Sequence, residues 1–478
     1  MSEEITRLFL NYAGVAARCL AGPIRDRAML KKAEQRYEIR QLVSQTESDD
    51  AFQELVRETK SAFERPTCGF LCECEGKARN FFRRTGFYLR AFNGEDVDIP
   101  ALAQEYLTAF ERSQVRRTYL APIECAVFNV TSVGLRNFEI RKFTEQELQT
   151  LLTSDVNAVF YEYAAIETND LADYWFIRAE EQVPLLDELE KPVVDGPEIR
   201  FDYTSLPRPI EHAVQALALY DWRHHMLEGY PDSDPGKGWF RFNLPFVLVL
   251  DDNLLGVPTR APDLSVLSKE VRVIEIDDDN EIEIEEPERG ATEYETTSFE
   301  SFFARVGPPL ETARRLHGTW PFIEIALGYF VKAFLSEGPE QLLWHITVLD
   351  ALLGEKYQNT KTIGRRISAI LGRNTDQGRI ARQFEELYKF RCDLVHGNPP
   401  TKKIFRQHLR EARDLARQAL VWFLNYAHHV SREFSEVDLP RRGEMLTSID
   451  LTIDGNARLK QLVARMPDGF PGLPQWYD

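Results

Sequence analysis

Apolar residues recur at steps of three and four positions along the last third of the chain. The step is clear in Leu342, Ile346, Leu349 and Leu353. It matches the 3.6-residue period of an α-helix, which places such residues on one buried face. The same pattern, with prolines at suitable first-turn or separating positions, predicts helices at Pro321–Leu335, Pro339–Leu353, Thr362–Leu371, Asp376–His396 and Lys402–His429. We therefore predict an all-helical bundle in this region.

The predicted secondary structure changes near residue 119, from helices to mainly strands. Helical spacing before that point predicts helices at Ile5–Cys19, Leu30–Val43, Ala51–Phe63 and Ala101–Arg117. After it, short alternating or β-branched segments predict strands at Cys125–Thr131, Ala158–Tyr163, Ile199–Tyr203 and Phe246–Leu250, with one helix near Ile210–His224. This middle part is expected to be a mixed α/β domain.

An acidic segment separates the middle part from the helical one. Residues 275–288 contain nine acidic and no basic side chains, and Ile282 and Ile284 alternate with glutamates. The alternation fits one edge strand with a solvated face, whereas the charge fits a loose acidic linker. We favour the strand and leave the linker open.

The length of 478 residues exceeds what one hydrophobic core usually organises. The predicted fold class is α+β multidomain, with a mixed α/β N-terminal region followed by a C-terminal all-α bundle. The predicted segments are a mostly helical N-terminal region at 1–118, a mixed α/β sensor or regulatory domain at 119–298, the helical bundle at 299–435 and a C-terminal extension at 436–478.

Charge is distributed unevenly along the chain. The formal net charge of −18 argues against a protein that coats nucleic acid by bulk attraction. Residues 301–440, however, carry 20 basic and 15 acidic side chains, a net +5 that leaves −23 for the rest. The regional excess hints at an anionic partner. Taken singly, the arginines of the last predicted helix are expected to solvate one of its faces: Arg406, Arg410, Arg413 and Arg417.

The six cysteines are too sparse for a secreted disulfide framework, so we expect a reducing, cytoplasmic location. Cys68, Cys72 and Cys74 could supply three thiolates to zinc, with Cys125 as a fourth ligand. Buried or incidental cysteines are the favoured interpretation, and no metal or cofactor is expected. No apolar stretch reaches the roughly 20 residues of a membrane span, and the acidic N-terminus does not resemble a secretory signal.

Candidate chemistry lies at the end of the predicted helix 376–396, where Arg391 precedes His396 by five positions and Gly397 follows. Imidazole exchanges protons near neutral pH, and guanidinium can hold a phosphate and stabilise added negative charge. About one such pair is expected by chance in a chain of this composition, so its context must carry the interpretation. The chain has no P-loop or dinucleotide-binding glycine pattern.

The context resembles the Apea-like HEPN family. It consists of Leu387-Tyr388 before the motif, Gly397 after it and the segments 348–353 and 364–371 upstream. The resemblance covers about Tyr119–His429 and is strongest from Pro321 onward. It implies a HEPN helical bundle that cleaves RNA without metal, in which a ribose 2′-hydroxyl attacks the neighbouring phosphate, with Arg391 and His396 as the catalytic residues.

One departure from the family pattern concerns the position after the arginine, where the family often has Asn, Asp or His and this chain has Cys392. Asp393 is displaced by one position, and the other candidate supporting residues are Asp350, His345 and Cys392 itself. The non-catalytic interpretation makes His396 a helix cap and pairs Arg391 with Asp350 or Glu386. A thiol hydrolase built on Cys392 and His396 is disfavoured, because such enzymes usually draw these groups from separate elements.

The resemblance also implies a biological setting. We expect a toxin-like effector of bacterial antiviral defence against phage, with an acidic N-terminal region that senses a phage-derived trigger or restrains the bundle. HEPN domains commonly pair about a two-fold axis, so a homodimer formed through the HEPN domain is expected to bring two copies of Arg391 and His396 together. The alternative function is a module that binds RNA or a nucleotide without cleaving it.

Overall fold

The computed structural model describes residues 2–21, 33–63, 74–123, 127–128, 132–135, 138–152, 159–160, 168–184, 206–220, 244–257, 273–277, 280–284, 290–291, 293–336, 338–355, 360–371, 377–397, 406–435 and 438–453. Helices dominate these residues and strands form one main sheet, so the expectation of a mixed α+β chain is confirmed at that level. No helix in the described ranges is long and apolar enough to cross a membrane.

The described helices are α1 (Ser2–Leu20), α2 (Ala33–Glu47), α3 (Asp50–Phe63), α4 (Cys74–Arg84), α5 (Phe87–Phe92), α6 (Ile99–Glu111), α7 (Glu145–Leu152), α8 (Thr168–Ala172), α9 (Arg208–Leu219), α10 (Glu293–Arg315), α11 (Pro321–Leu335), α12 (Gly338–Leu353), α13 (Thr360–Leu371), α14 (Gln377–Val395), α15 (Arg406–Glu433) and α16 (Arg442–Ile453). The described strands are β1 (Gln114–Ile123), β2 (Val127–Phe128), β3 (Ser132–Leu135), β4 (Phe138–Lys142), β5 (Trp175–Pro184), β6 (Leu248–Asp251), β7 (Val273–Asp277), β8 (Asn280–Ile284) and β9 (Gly290–Ala291).

Five strands form one sheet in the order β3-β4-β5-β1-β6. Strands β1 and β6 are antiparallel, with Arg117 opposite Asp251 and Leu120 opposite Leu248. The chain divides into two compact units. The first comprises residues 1–122, 141–199 and 245–269, and the second comprises 123–140, 200–244 and 270–478.

The first unit is built around aromatic side chains from five helices. Helix α1 buries Ile5, Phe9, Tyr12 and Ala16 at helical spacing, because only one of its faces is apolar. Phe9 stacks on Phe82 of α4 at 4.9 Å between ring centroids. The Tyr12 hydroxyl lies 2.7 Å from that of Tyr88, which gives each buried hydroxyl a hydrogen-bond partner. A smaller cluster that includes Leu120, Phe176 and Leu248 covers the sheet.

The acidic segment forms a hairpin in the second unit. Strands β7 and β8 are antiparallel, with Val273 opposite Ile284 and Asp277 opposite Asn280. The favoured strand is therefore confirmed, and the pairing shows two short strands where one edge strand was predicted. The pairing was not predicted, because the sequence of this segment lacks the Asn-Gly or Asp-Gly signal of a tight hairpin.

The described residues from 293 to 453 form α-helices and no strand, as predicted for the C-terminal region. Helix α11 has the bounds predicted for it, and α12, α13 and α14 begin or end within two residues of theirs. Helix α12 packs against α11, α13, α14 and α15. This packing explains why most of its apolar side chains are buried, including Leu342, Ile346 and Leu349.

Two arginines attach further helices to this bundle. Arg366 on α13 is only 1% exposed, and its guanidinium donates to Asp450 on α16, to Glu355 and to the Leu353 carbonyl. Arg314 on α10 donates to the carbonyl of His212 and to the side chain of Gln215, both on α9. Helices α9 and α16 therefore belong to the same unit as the motif helix.

Several predicted elements need correction. The helix predicted at Ala101–Arg117 ends at Glu111, because Arg112 takes an extended conformation and the β-branched Val115 begins the buried part of β1. Val159 and Phe160 are helical instead of part of a strand, since packing in the aromatic core of the first unit overrides their β propensity. Only 127–128 of the predicted strand Cys125–Thr131 is described, and Ile199–Tyr203 lies outside the described residues.

Helix α15 also differs from what the sequence predicted. Arg413 and Arg417 do not solvate a face of α15, because they are 4% and 2% exposed. The guanidinium of Arg413 lies 5.1 Å from the ring centroid of Phe334, a cation–π contact that partly replaces the water lost on burial. Part of the positive charge of residues 301–440 is therefore inside the bundle, where a binding partner cannot contact it.

Candidate functional site

The motif arginine lies where α14 packs against α12. The Nη2 atom of Arg391 is 3.8 Å from Oδ2 of Asp350, and the two side chains are 29% and 26% exposed. That separation is too long for a hydrogen bond, so the pair is held by charge and not by a fixed donor geometry. Of the two carboxylates considered as partners for Arg391 from the sequence, Asp350 is the one that faces it here.

An aromatic ring supports the same guanidinium. Tyr388 precedes Arg391 by one helical turn, and its ring centroid lies 5.4 Å from the guanidinium carbon. Burial raises the pKa of the Tyr388 phenol, and the negative charge of Asp350 raises it further. Tyr388, Arg391 and Asp350 thus form one half-exposed cluster, which we call the Arg391 cluster.

Asp350 is the titrating member of the Arg391 cluster. Burial raises its pKa to about 6 from the usual 3.8, while the positive charge of Arg391 acts in the opposite direction. Desolvation therefore outweighs the attraction of a cation 3.8 Å away. A carboxyl group that exchanges its proton near neutral pH beside an arginine is a frequent feature of functional sites.

His396 lies just beyond the last residue of α14 and is exposed. Its backbone N–H donates to the Cys392 carbonyl at 3.0 Å, so helical hydrogen bonding continues through it. The chain turns only at Gly397, whose φ of +69° is left-handed and favours glycine. Five helical positions correspond to about 140° of rotation, so Arg391 and His396 project from different faces of α14.

The remaining candidates are placed differently. Cys392 is half-buried and contributes to the environment of Tyr388. Asp393 is also half-buried, and its Oδ2 atom has no hydrogen-bond partner among the described residues. Asp350 and Cys392 are thus brought to the Arg391 cluster, whereas Asp393 has no described contact with it.

His345 is not part of the Arg391 cluster. It is completely buried and faces the ring of Phe330 at 5.4 Å, and neither ring nitrogen has a hydrogen-bond partner among the described residues. Burial lowers the pKa of His345 well below its usual value, and Arg413 lowers it further. A substrate could reach this imidazole only if the bundle opened.

The cysteine motif is described only in part. Cys74 is buried at the start of α4, with its thiol 3.9 Å from the Val56 carbonyl, while Cys68, Cys72 and Cys125 lie outside the described residues. Within the described ranges, no group of three or more His, Cys, Asp or Glu side chains is arranged to hold a metal ion.

Sequence reasoning did not single out Tyr388 as a functional residue. Its position three residues before Arg391 is a usable signal, because side chains at that spacing lie on the same face of a helix. In comparisons with known proteins, no family model, no curated protein and no solved structure matches this chain.

Proposed function

We propose that the chain is a metal-independent endoribonuclease of the HEPN type. The observation that supports the proposal best is the state of Arg391, a partly exposed guanidinium that lies 3.8 Å from the carboxylate of Asp350. An arginine held this loosely remains able to form the bidentate hydrogen bonds with which arginine binds phosphate. The charge on residues 301–440 has the sign that an RNA-binding module needs.

The reaction proposed is an internal transesterification. A 2′-hydroxyl attacks the adjacent phosphate, the 5′ oxygen leaves, and the products carry 2′,3′-cyclic phosphate and 5′-hydroxyl ends. Arg391 stabilises the charge that develops on the phosphate, and the exposed imidazole of His396 transfers a proton. No step calls on a group that the chain itself lacks.

The positions of Arg391 and His396 favour a site built from two chains. Because their side chains leave α14 about 140° apart, one phosphate is difficult to reach with both groups of the same copy. A two-fold axis beside α14 would place His396 of one copy near Arg391 of the other. The exposed Val395, between the two motif residues, offers apolar surface for such a contact.

The experiment that tests the function is incubation of the full chain with total RNA in excess EDTA. Cleavage that survives chelation and leaves 2′,3′-cyclic phosphate ends is the expected result. Cleavage that chelation abolishes would contradict the metal-independent mechanism. Binding of RNA without fragments would instead support the alternative, a binding module in which Arg391 only grips phosphate.

A further inference from the structure

Arg391 and His396 supply only one group that transfers a proton. The carboxyl group of Asp350, in the Arg391 cluster, can serve as the second. Transesterification needs one group to accept the 2′ proton and another to supply a proton to the leaving 5′ oxygen. We propose that Asp350 is the general acid of this site and takes up its proton when a phosphate diester binds at Arg391. The inference rests on the proposed ribonuclease function and assigns the missing proton donor to the same chain as Arg391.

The geometry is suitable for a group that acts on a ligand of Arg391. Asp350 lies one turn before the end of α12, on the side that faces α14, with Oδ2 3.8 Å from the arginine nitrogen. It is 26% exposed, so a phosphate bound by Arg391 can approach the carboxyl directly. His396 leaves α14 from a different face, so Asp350 is the proton-exchanging group on the Arg391 side.

Groups from several helices lie near the Asp350 carboxyl. From α14, Arg391 and Tyr388 interact with Asp350, and Cys392 interacts with Tyr388. Of the described charged groups, only Arg391 shifts the ionisation of Asp350 appreciably. At the end of α12, Arg442 donates to the carbonyls of Ala351 and Gly354.

Other charged groups near α12 interact with partners other than Asp350. Arg366 of α13 is held by Glu355, Asp450 and the Leu353 carbonyl. Arg413 of α15 interacts with His345 of α12 in the core. Lys332 of α11 lies 5.3 Å from the ring centroid of Trp344 on α12.

Binding of an anion at Arg391 is expected to protonate the carboxyl group of Asp350. Burial already raises the pKa of Asp350 to about 6, against the influence of Arg391. A phosphate at Arg391 neutralises that cation and adds a negative charge beside the carboxyl, and both changes favour the protonated form. The substrate thus brings Asp350 into the state in which it can donate.

The proposed step conserves atoms and charge. The O–H bond of the 2′-hydroxyl breaks and its proton passes to the imidazole of His396. The bond from O2′ to phosphorus forms while the bond from phosphorus to O5′ breaks, and the Asp350 proton passes to O5′. Asp350 is left as carboxylate and His396 as imidazolium, and proton transfer through water restores both.

The first test uses two substrates that differ only in the leaving atom. One is a dinucleotide with the natural 5′ oxygen, and the other has sulfur at that bridging position. A thiolate leaves without a proton because the pKa of a thiol is about 8.5, far below that of an alcohol. Asp350→Asn is expected to slow cleavage of the oxygen substrate by at least about a hundredfold and that of the sulfur substrate by less than about threefold.

The second test measures proton uptake on binding, without cleavage. The probe is a dinucleotide that lacks the 2′-hydroxyl, titrated by calorimetry at pH 7 in two buffers of different ionisation enthalpy. His396→Ala is the background, so that uptake by the imidazole does not contribute. This variant is expected to take up about one proton per site, and the double variant with Asp350→Asn none.

Glu340→Gln is the matched control, an exposed carboxylate near the other end of α12, and should change neither measurement. If Asp350→Asn slows both substrates equally, or leaves the oxygen substrate at the wild-type rate, the acid role is overturned while the ribonuclease function stands. A wild-type chain that cleaves neither substrate overturns both. Equal proton uptake in the single and double variants also overturns the role of Asp350.

Discussion

The side chain of Arg391 has two partners, the carboxylate of Asp350 and the ring of Tyr388. The carboxylate attracts the guanidinium, yet burial raises the pKa of Asp350 to about 6 and weakens that attraction as the pH falls. The Tyr388 ring holds the guanidinium from another direction without using its N–H donors. Arg391 is therefore kept in place while most of its hydrogen-bonding capacity remains available.

The motif residues should be replaceable without loss of the fold. Arg391→Ala and His396→Ala are each expected to reduce RNA cleavage by at least about a hundredfold, the lower range for losing a charge stabiliser or a proton-transfer group. Cleavage rates and thermal melts of the purified variants measure both effects. His317→Ala and Arg365→Ala remove exposed side chains of the same types and serve as controls. Retained activity in either motif variant would place the site elsewhere.

Asp350 should weaken the folded state at neutral pH. Its pKa of about 6 in the folded state exceeds the usual 3.8, so the folded state binds the proton more tightly. The associated stability is present below about pH 3.8 and is lost as the pH rises through about 6. Asp350→Asn is therefore expected to increase the free energy of unfolding at pH 7.5 by roughly 1–3 kcal/mol.

Urea denaturation of wild type and Asp350→Asn at pH 5 and pH 7.5 measures this difference. The gain should be larger at pH 7.5, because only there is the folded carboxyl almost fully ionised. Glu340→Gln should show no such gain. A variant less stable than wild type at both pH values would mean that the carboxylate stabilises the bundle.

The surroundings of some candidate residues could be predicted from the sequence, and those of others could not. Asp350 could be proposed as a partner of Arg391 because helical spacing leaves it near the end of its helix. The burial of His345, Arg413 and Arg417 could not be foreseen, because the inward face of a helix that packs on several neighbours depends on where those neighbours lie.

Among the helices, strong periodicity gave reliable predictions. Helices α11 to α15 were all expected, since each has an apolar stripe of at least three turns. Helices α4 and α16 are among those that were missed. Their sequences contain Gly76 and Gly443, and glycine lowers the helix propensity of a short segment whose stability then depends on packing.

The attachment of helix α16 should depend strongly on the buried guanidinium of Arg366. Arg366→Met removes the donor that joins Asp450 and Glu355, and is expected to cost about 2–4 kcal/mol of unfolding free energy. The value is below that of a fully buried pair because both carboxylates are about one-third exposed. Hydrogen exchange should show faster opening of 442–453 than of α11.

Arg365→Met is the control for this effect. The side chain is adjacent in sequence but exposed, so its removal should change stability by no more than about 1 kcal/mol. Similar losses in the two variants would argue that Arg366 contributes through its apolar stem and not through its carboxylate partners.

Across the whole molecule, the boundary of the second unit could not be read from the sequence. Residues 200–244 precede the acidic hairpin, yet they belong to the same unit as the bundle. The contact of Arg314 with α9 spans about 100 positions, and no local pattern signals such a pairing. A fragment limited to 299–435 would lack both α9 and α16, so the full chain is the better material for activity measurements.

The activity of a site shared between two copies depends on protein concentration. If the site is shared between two copies, activity per chain should fall when the protein is diluted below the dissociation constant of a homodimer. Mass photometry and cleavage assays at matched concentrations test this directly. Val395→Glu should weaken the dimer by placing a charge on exposed apolar surface, whereas Val257→Glu, at another exposed valine, should not. Full specific activity in a monomeric sample would exclude the shared site.

The attachment of α16 by Arg366 also bears on how the protein is made. A ribosome adds about 5–20 residues each second, and domains generally fold as units while the chain emerges. The carboxylate of Asp450 is synthesised well after Arg366 and after the whole motif helix. Until it appears, the guanidinium of Arg366 lacks one of its carboxylate partners and the bundle lacks its last described helix. A nascent chain would thus carry Arg391 and His396 for several seconds before their supporting framework is complete.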